Sequence, residues 1–192
     1  MKIAVLILAA GGGSRFGSNK QLALIDGRPM LQHCINTANS LCPNSVYTVL
    51  GSQAEQLSKK ISNTKLIFNE QWQEGLGSSI AAGATHLQNR CDAILILLAD
   101  QPAVNRDYLE RLIRLFEGSE LACSRYSAHL GVPAIFGPSH FSALKNMEGD
   151  EGAKMLLQSV TPRPKSLALG ASALDIDTPE DLDIFLDQIK NE

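Results

Sequence analysis

The sequence lacks the clustered residues that build metal centres or disulfide frameworks. Its four cysteines and four histidines are scattered over 192 residues, with no C-x-x-C pair and no H-x-x-x-H spacing. Zinc sites need such clusters, and disulfide frameworks are typical of short, cysteine-rich secreted chains. We therefore expect reduced, buried thiols and a cytoplasmic protein.

Long apolar runs and a large excess of one charge are also missing. No run approaches the ~20 residues that span a bilayer. The first apolar run, IAVLILAA, follows the positive charge of Lys2, as the apolar segment of a signal peptide follows its basic start. However, only one charge precedes it, and it leads straight into a glycine-rich loop. We therefore predict no secretion signal. The net charge of −3 argues against a broad surface for nucleic acid or anionic membranes.

The remaining composition is that of an ordinary globular protein, with 44% hydrophobic and 19% charged residues. The length suits one well-buried domain, and no repeat or linker divides it. We predict a single domain over residues 1–192.

Apolar runs without polar alternation predict strands that are buried on both faces, as in parallel sheets. These runs are KIAVLIL (2–8), SVYTVL (45–50), KLIF (65–68), DAILILLA (92–99), ELACS (120–124) and PAIF (133–136). Helical patterns alternate with them at 29–41, 53–62, 76–89, 105–117, 150–160 and 178–190, with Asn105, Asp150 and Thr178 as expected N-caps. The alternation predicts an α/β sandwich with a mostly parallel sheet and a small antiparallel excursion around 119–149.

The stretch ILAAGGGSRFGSNKQL (7–22) places a glycine-rich loop directly after the first strand. Ligands of open α/β sheets bind beyond the carboxyl ends of the strands, and glycines let backbone N–H groups surround phosphate oxygens. The loop matches neither the P-loop nor the dinucleotide fingerprint. Arg15 and Lys20 flank Gly17 at a spacing suited to a polyphosphate. A glycine-rich turn with two solvated cations is an equally simple interpretation of the loop alone.

Two carboxylates are placed to meet near this loop. Asp100 comes right after the most hydrophobic strand, and Asp177 follows Asp175 and Ile176 just before the helix predicted at 178–190. If 175–177 is extended, Asp175 and Asp177 point the same way. Two carboxylates, phosphate oxygens and water are a common way to hold Mg²⁺. The alternatives are that Asp100 opens the turn DQP and that Asp177 is a turn or capping residue.

Six motifs in order carry a resemblance to a known family. They are LAAGGGSRFGSNKQL, NEQWQEGLGSS, LADQP, GVP, EGDEGAKMLL and DIDTPEDL, and they cover nearly the whole chain. Together they resemble the MobA-like nucleotidyltransferases, especially the molybdenum cofactor cytidylyltransferase branch. The resemblance implies a Rossmann-like three-layer α/β/α sandwich and Mg²⁺-dependent transfer of CMP from CTP to the phosphate of molybdopterin. It further implies a molybdoenzyme or chaperone as protein partner.

The resemblance also implies roles for individual residues. Catalytic roles fall to Arg15, Lys20 and Asp100, and Mg²⁺ would be bound by Asp100 and Asp177. The nucleotide would be bound by Ala10, Gly11, Gly12, Gly13, Ser14, Asn69, Gly75, Ser78 and Ser79. The start LAAG resembles the cytidylyl branch, whereas the guanylyl branch more often reads LAGG, so Ala10 favours CTP over GTP. Gly149 and Asp150 would lie near the acceptor.

The chain departs from the family pattern at three places. YSAHLGVP lacks the extra glycine and basic residue that often precede Gly-x-Pro, Gly12–Gly13 replaces a longer side chain and serine, and Phe16 replaces a common methionine. Three other functions remain open: a guanylyltransferase, a sugar-phosphate nucleotidyltransferase, and a non-catalytic nucleotide-binding accessory protein. Trp72 could stack on a base or a pterin, but a lone tryptophan is more often a packing residue, and packing is the expectation here.

Overall fold

A central sheet organises the chain, and the element bounds follow from a computed structural model. It describes residues 1–190 except 13–15, 17, 18, 118, 128, 151 and 171–173. Seven strands of this described part form one sheet: β1 (Ile3–Ala9), β4 (Val46–Leu50), β5 (Lys65–Phe68), β6 (Ala93–Leu98), β7 (Leu121–Arg125), β8 (Leu130–Phe136) and β9 (Lys165–Ala168). Two short strands, β2 (Leu24–Ile25) and β3 (Arg28–Pro29), pair as a separate hairpin.

The sheet is mostly parallel, as predicted. Its strand order is β5-β4-β1-β6-β8-β7-β9, and β1 pairs in parallel with both β4 and β6. Strand β8 runs antiparallel to β6 and β7, which confirms the expected excursion around 119–149. The carboxyl ends of β1, β4 and β6 consequently meet at one edge.

Helices cover both faces of the sheet and complete a three-layer α/β/α sandwich. They are α1 (Met30–Leu41), α2 (Ala54–Ser58), α3 (Leu76–Leu87), α4 (Arg106–Phe116), α5 (Phe141–Lys145), α6 (Ala153–Ser159) and α7 (Pro179–Lys190). Alternate residues of β1 point to opposite faces: Val5 and Ile7 pack in the cluster with α1 and α4, whereas Leu6 and Leu8 pack in the cluster with α3, α5 and α6. This double burial explains the unbroken apolar run at the N-terminus.

Several predicted elements differ from the observed ones. The helix predicted at 53–62 ends at Ser58, whose hydroxyl donates to the carbonyl of Glu55 and competes with helix propagation. The helix predicted at 150–160 begins at Ala153, because Gly152 has a φ of 53° and is its N-cap; Asp150 is therefore not the cap. Asn105 does cap α4, since its Oδ1 accepts from the N–H of Tyr108 at 2.9 Å.

None of the described helices is both long and apolar enough to cross a membrane.

Candidate active site

The loops that follow β1, β4 and β6 meet at one edge of the sheet. The N–H of Ser52 donates to the carbonyl of Ala10 at 2.9 Å, and the N–H of Ala99 donates to the carbonyl of Leu8 at 3.1 Å. Below these loops lies a pocket of about 460 Å³. Its lining residues are Leu8, Ala10, Gly11, Gly12, Lys20, Gln21, Trp72, Gln73, Gly75, Leu76, Ser79, Leu98, Ala99, Asp100, Asp150 and Asp177.

The start of the glycine-rich loop forms one wall of this pocket. Ala10 is buried, whereas Gly11 and Gly12 are exposed and line the opening. A Cβ atom on Gly12 would lie 3.7 Å from the ring of Trp72, so the indole covers the glycine backbone. Gly13, Ser14 and Arg15 lie outside the described residues, so their predicted roles stay predictions.

Lys20 joins the two predicted carboxylates into one cluster. It begins a 3₁₀ turn (Lys20–Leu22) at the end of the glycine-rich loop. Its Nζ donates to Asp100 Oδ2 and to Asp177 Oδ1, each at 2.7 Å. Burial by itself lowers the pKa of Lys20, but the charges and hydrogen bonds of Asp100 and Asp177 outweigh it and raise the pKa above its usual value. The lysine is therefore a charged ammonium at neutral pH.

The chain reaches this cluster from distant parts of the sequence. Asp100 lies two residues after the end of β6, and its carbonyl accepts the N–H of Ile176 at 2.9 Å, which brings the segment around Ile176 to the sheet edge. Asp181 Oδ2 accepts the N–H groups of Asp177 and Thr178, while the N–H of Asp181 donates to Thr178 Oγ1. This reciprocal capping box fixes the backbone just before α7.

Asp175 makes its own contact beside the cluster. Residues 174–177 form no strand, so the condition for a shared direction of Asp175 and Asp177 is not met. Asp175 Oδ1 accepts from Gln101 Nε2 at 2.7 Å. Partial desolvation raises the pKa of Asp175, and the negative charges of Asp100 and Asp177 act in the same direction.

The donor set of the cluster fits a divalent cation that prefers oxygen. Two carboxylates already share one cation, the Lys20 ammonium, and Asp100 Oδ1 is a buried oxygen without a hydrogen-bond partner among the described residues. Among all the residues that the structure describes, no group of three or more His, Cys, Asp and Glu side chains is suited to a metal ion. Mg²⁺ commonly takes only one or two carboxylates and completes its shell with water and substrate phosphates.

The four nucleotide-binding residues predicted beyond the glycine-rich loop, Asn69, Gly75, Ser78 and Ser79, divide into two groups. Gly75 and Ser79 line the pocket, whereas Asn69 and Ser78 do not. Asn69 Nδ2 donates to the hydroxyls of Ser78 and Ser79, and its Oδ1 accepts the N–H of Gln71. Ser78 Oγ lies 2.8 Å from the carbonyl of Gly75 and 2.9 Å from that of Gln71. Asn69 and Ser78 therefore brace the segment that carries Trp72 and Gly75.

The opposite wall of the pocket comes from the loop before α6. The N–H of Gly77 donates to the carbonyl of Gly149 at 2.8 Å, and a Cβ atom on Gly75 would lie 2.5 Å from Asp150 Oδ1. The start of α3 thus packs directly on Gly149 and Asp150. Trp72, for which we expected packing in preference to stacking on a base or pterin, lines the pocket, and the motif NEQWQEGLGSS offered no signal that separates these two roles.

A second cavity, of about 260 Å³, adjoins the first, and both are lined by Leu8, Leu76 and Leu98. Polar side chains in its wall form a chain of hydrogen bonds. Gln101 Nε2 donates to Asp175 Oδ1 and to Tyr126 Oη, each at 2.7 Å, and Tyr126 Oη donates to the carbonyl of Val132 at 2.7 Å. His129 stacks on Tyr126 with ring centroids 4.8 Å apart. Sequence reasoning did not identify Gln101 or Tyr126.

Solved structures share this fold across nearly the whole chain. Rv0371c from Mycobacterium tuberculosis superposes with a TM-score of 0.87 at 27% identity, covering 97% of this chain and 98% of that one. The same protein in complex with manganese gives a TM-score of 0.82 at 26% identity, covering 97% and 99%.

Curated relatives differ in how much of their length is matched. The purine catabolism protein PucB of Bacillus subtilis is 31% identical over 201 residues, which cover 93% of both proteins. The bifunctional protein GlmU of Stutzerimonas stutzeri is 35% identical over 125 residues, which cover 64% of this chain and 27% of GlmU. The match thus spans about a quarter of the length of GlmU.

The family model described as the MobA-like NTP transferase domain matches residues 5–165. The matched range includes Lys20 and Asp100 and ends before Asp177. Together with the fold and the full-length relative, this match shows that the chain belongs to the MobA-like nucleotidyltransferase family.

Proposed function

We propose that this chain, acting as one domain, transfers CMP from CTP to the terminal phosphate of molybdopterin and releases pyrophosphate. One observation carries the proposal: the Lys20 ammonium and the carboxylates of Asp100 and Asp177 meet in a pocket walled by the glycine-rich loop. The pocket offers a lysine for phosphate, carboxylates for a divalent cation, and exposed glycine backbone for close approach of a nucleotide. We place the reaction in the cytoplasm, with a molybdoenzyme or its chaperone as recipient of the product.

The reaction needs positioning and charge more than proton transfer. The second pKa of a phosphate monoester is about 6, so the attacking phosphate is already largely ionised at neutral pH. It would attack the α-phosphorus of CTP in line and expel pyrophosphate. No general base is needed, and phosphoryl chemistry of this kind depends on orientation and electrostatic stabilisation.

The residues of the site divide this work. Lys20 and, by resemblance, Arg15 would neutralise the phosphates that become pyrophosphate, and the amides of Gly11 and Gly12 would approach the nucleotide. Asp100 and Asp177 would hold Mg²⁺, which neutralises charge on the reacting phosphates when it is bound. The complex of the related Rv0371c with manganese supports a divalent cation in this family.

The two adjoining cavities suit a reaction with two substrates. The first cavity contains the charged cluster and the glycine-rich wall, whereas the second is lined mainly by apolar residues and by the pair Tyr126 and His129. We assign the nucleotide to the first and the body of the acceptor to the second. Because both cavities are lined by Leu8, Leu76 and Leu98, an acceptor in the second would lie beside a nucleotide in the first.

Binding of nucleotides is the first test. Thermal unfolding is measured with Mg²⁺ and each of CTP, GTP, UTP and ATP. A ligand at about 100 times its dissociation constant adds about 2.7 kcal/mol of stability, which is readily visible. Stabilisation by CTP alone supports the proposal, and a preference for GTP would identify a guanylyltransferase instead. A preference for UTP or ATP would favour a sugar-phosphate acceptor, and binding without turnover would favour an accessory protein.

Turnover with molybdopterin tests the chemistry. Asp100→Asn should lower the rate at least about 10²-fold, the usual effect of losing one preorganised charge in such a site. Asp183→Asn is the matched control, because it removes an exposed carboxylate on α7 outside the pocket. If both variants turn over like the wild type, Asp100 has no part in the mechanism.

A further inference from the structure

Lys20 holds the same two oxygens that a metal ion would need. Its Nζ lies 2.7 Å from Asp100 Oδ2 and 2.7 Å from Asp177 Oδ1. The lysine side chain is only 11% exposed, so water replaces little of this contact. An ammonium and a divalent cation cannot occupy the same position between two carboxylates, because they exclude and repel each other.

We propose that Lys20 and the divalent cation compete for the Asp100–Asp177 pair, and that the nucleotide decides the competition by drawing Lys20 onto its phosphates. This inference rests on the proposed function and adds an order of binding to it. The metal enters together with the nucleotide, not before it. In the absence of nucleotide, Lys20 closes the metal position.

The competition has a direct electrostatic reason. Two partly buried carboxylates that face one point need a cation, since an uncompensated buried charge is costly. Lys20 supplies that cation when no ligand is present. A nucleoside triphosphate brings several negative charges to the glycine-rich loop and offers the lysine an alternative partner. If Lys20 turns to the phosphates, Asp100 and Asp177 would need a new cation, and a divalent ion would supply that charge.

The side chain of Lys20 is suited to this exchange. Lysine is a compact point charge on a flexible four-carbon stem, so it can change partner by rotation about its side-chain bonds. Lys20 also lines the pocket of about 460 Å³ in which we place the nucleotide. Both partners are therefore within the space that one side chain can reach. Thermodynamic linkage makes the coupling reciprocal: the nucleotide must raise the affinity for the metal by the same factor as the metal raises the affinity for the nucleotide.

The decisive experiment measures Mn²⁺ binding by electron paramagnetic resonance without any nucleotide. Lys20→Met should bind Mn²⁺ at least about tenfold more tightly than the wild type, within the usual range of coupling between sites. Lys20→Arg keeps a cation against the carboxylates and should bind Mn²⁺ as weakly as the wild type. Lys154→Met is the charge control, because Lys154 lines the adjoining cavity and forms no ion pair with a described residue. Equal affinities in wild type and Lys20→Met, or an equal gain in Lys154→Met, would overturn the proposal.

A second titration is made in the presence of CTP. Mn²⁺ also binds free CTP in solution, but it does so equally in every titration. Differences between the variants therefore report Mn²⁺ binding by the protein. CTP should raise the Mn²⁺ affinity of the wild type far more than that of Lys20→Met. If CTP raises both by the same factor, Lys20 does not link the two ligands.

The wild type alone keeps the proposal testable if Lys20→Met does not fold. Without nucleotide it should show no saturable binding at Mn²⁺ concentrations that saturate it with CTP. Saturation without CTP that Asp177→Asn abolishes would refute the competition. Failure of the proposed function is seen separately, because Trp72 is the sole tryptophan and lines the pocket, so its fluorescence reports nucleotide binding. A silent Trp72 with all four nucleotides would count against the nucleotide site, whereas the nucleotide-free Mn²⁺ comparison would still test the competition.

Discussion

Replacing Gly75 by alanine should separate the two walls of the pocket. Gly75 has φ 107° and ψ −178°, a region that is essentially restricted to glycine, and a side chain there costs about 1–3 kcal/mol. Its Cβ would also lie 2.5 Å from Asp150 Oδ1 and from the carbonyl group of Gly149. Forcing a packed backbone aside costs about 1–3 kcal/mol more. We therefore expect Gly75→Ala to lower the free energy of unfolding by about 2–6 kcal/mol.

The matched control for this prediction is Gly149→Ala. Gly149 also has a positive φ, 67°, but a Cβ there would meet no atom within 4 Å. Only the left-handed conformation is penalised, which costs about 1–2 kcal/mol. Denaturant unfolding compares the two variants, and Trp72 fluorescence with CTP follows the pocket. Equal destabilisation by both substitutions would show that the close approach of α3 to Asp150 does not matter, and would refute this reasoning.

Three further predictions concern other parts of the chain. Asn105→Ala should lower the free energy of unfolding by about 1 kcal/mol, because it removes the side-chain cap of α4. The control Asn146→Ala, at an exposed position, should change the free energy of unfolding less. Equal effects of the two variants in chemical denaturation would contradict the capping role. Hydrogen bonds from Thr178 and the N–H of Asp177 lower the pKa of Asp181 below its ordinary 3.8. The stabilisation that the Asp181 carboxylate provides is present above pH 3.8 and is lost as the pH falls towards the lower pKa of the folded state. Asp181→Asn should therefore reduce the loss of unfolding free energy on the acid side of a stability-against-pH profile. An unchanged acid side of that profile would argue against this linkage. Burial raises the pKa of Cys34 to about 12 and that of Cys123 to about 11. Iodoacetamide at pH 8 should therefore label the half-buried Cys42 and Cys91 first, as measured by mass spectrometry. Early labelling of Cys34 would show that the core opens readily.

The sheet centre could be predicted from the sequence because its signal is local. β1 and β6 are buried on both faces, so their apolar runs contain no polar residue, and the order of strands and helices follows from the alternation. β9 escaped prediction because its residues are only partly buried or exposed, and the paired β2–β3 hairpin is too short to show a period. The predicted cap at Asp150 was wrong because Gly152, two residues later, takes the conformation that starts the helix.

The candidate site was predictable only in part, since its contacts join distant segments. A carboxylate at the end of a central strand is a recognisable pattern, and Asp100 does lie there. The contact of Lys20 with Asp177 spans 157 positions, and no local pattern indicates that this lysine lies between the two acids. Gln101 and Tyr126 were missed because their hydrogen bonds depend on how β8 runs back across the sheet.

The position of Asp177 has a consequence for folding and degradation. This residue precedes α7, and the neighbouring Ile176 and Phe185 of α7 pack in a small cluster with Ile25 and Met30, separate from the two main cores. Such a satellite can open without unfolding the sheet. During synthesis, the carboxylate pair cannot form until Asp177, which is made long after Asp100, has left the ribosome. The segment that carries Asp177 thus completes the site, and a chain clipped before that segment would keep the strands of its sheet while losing one of its two acids.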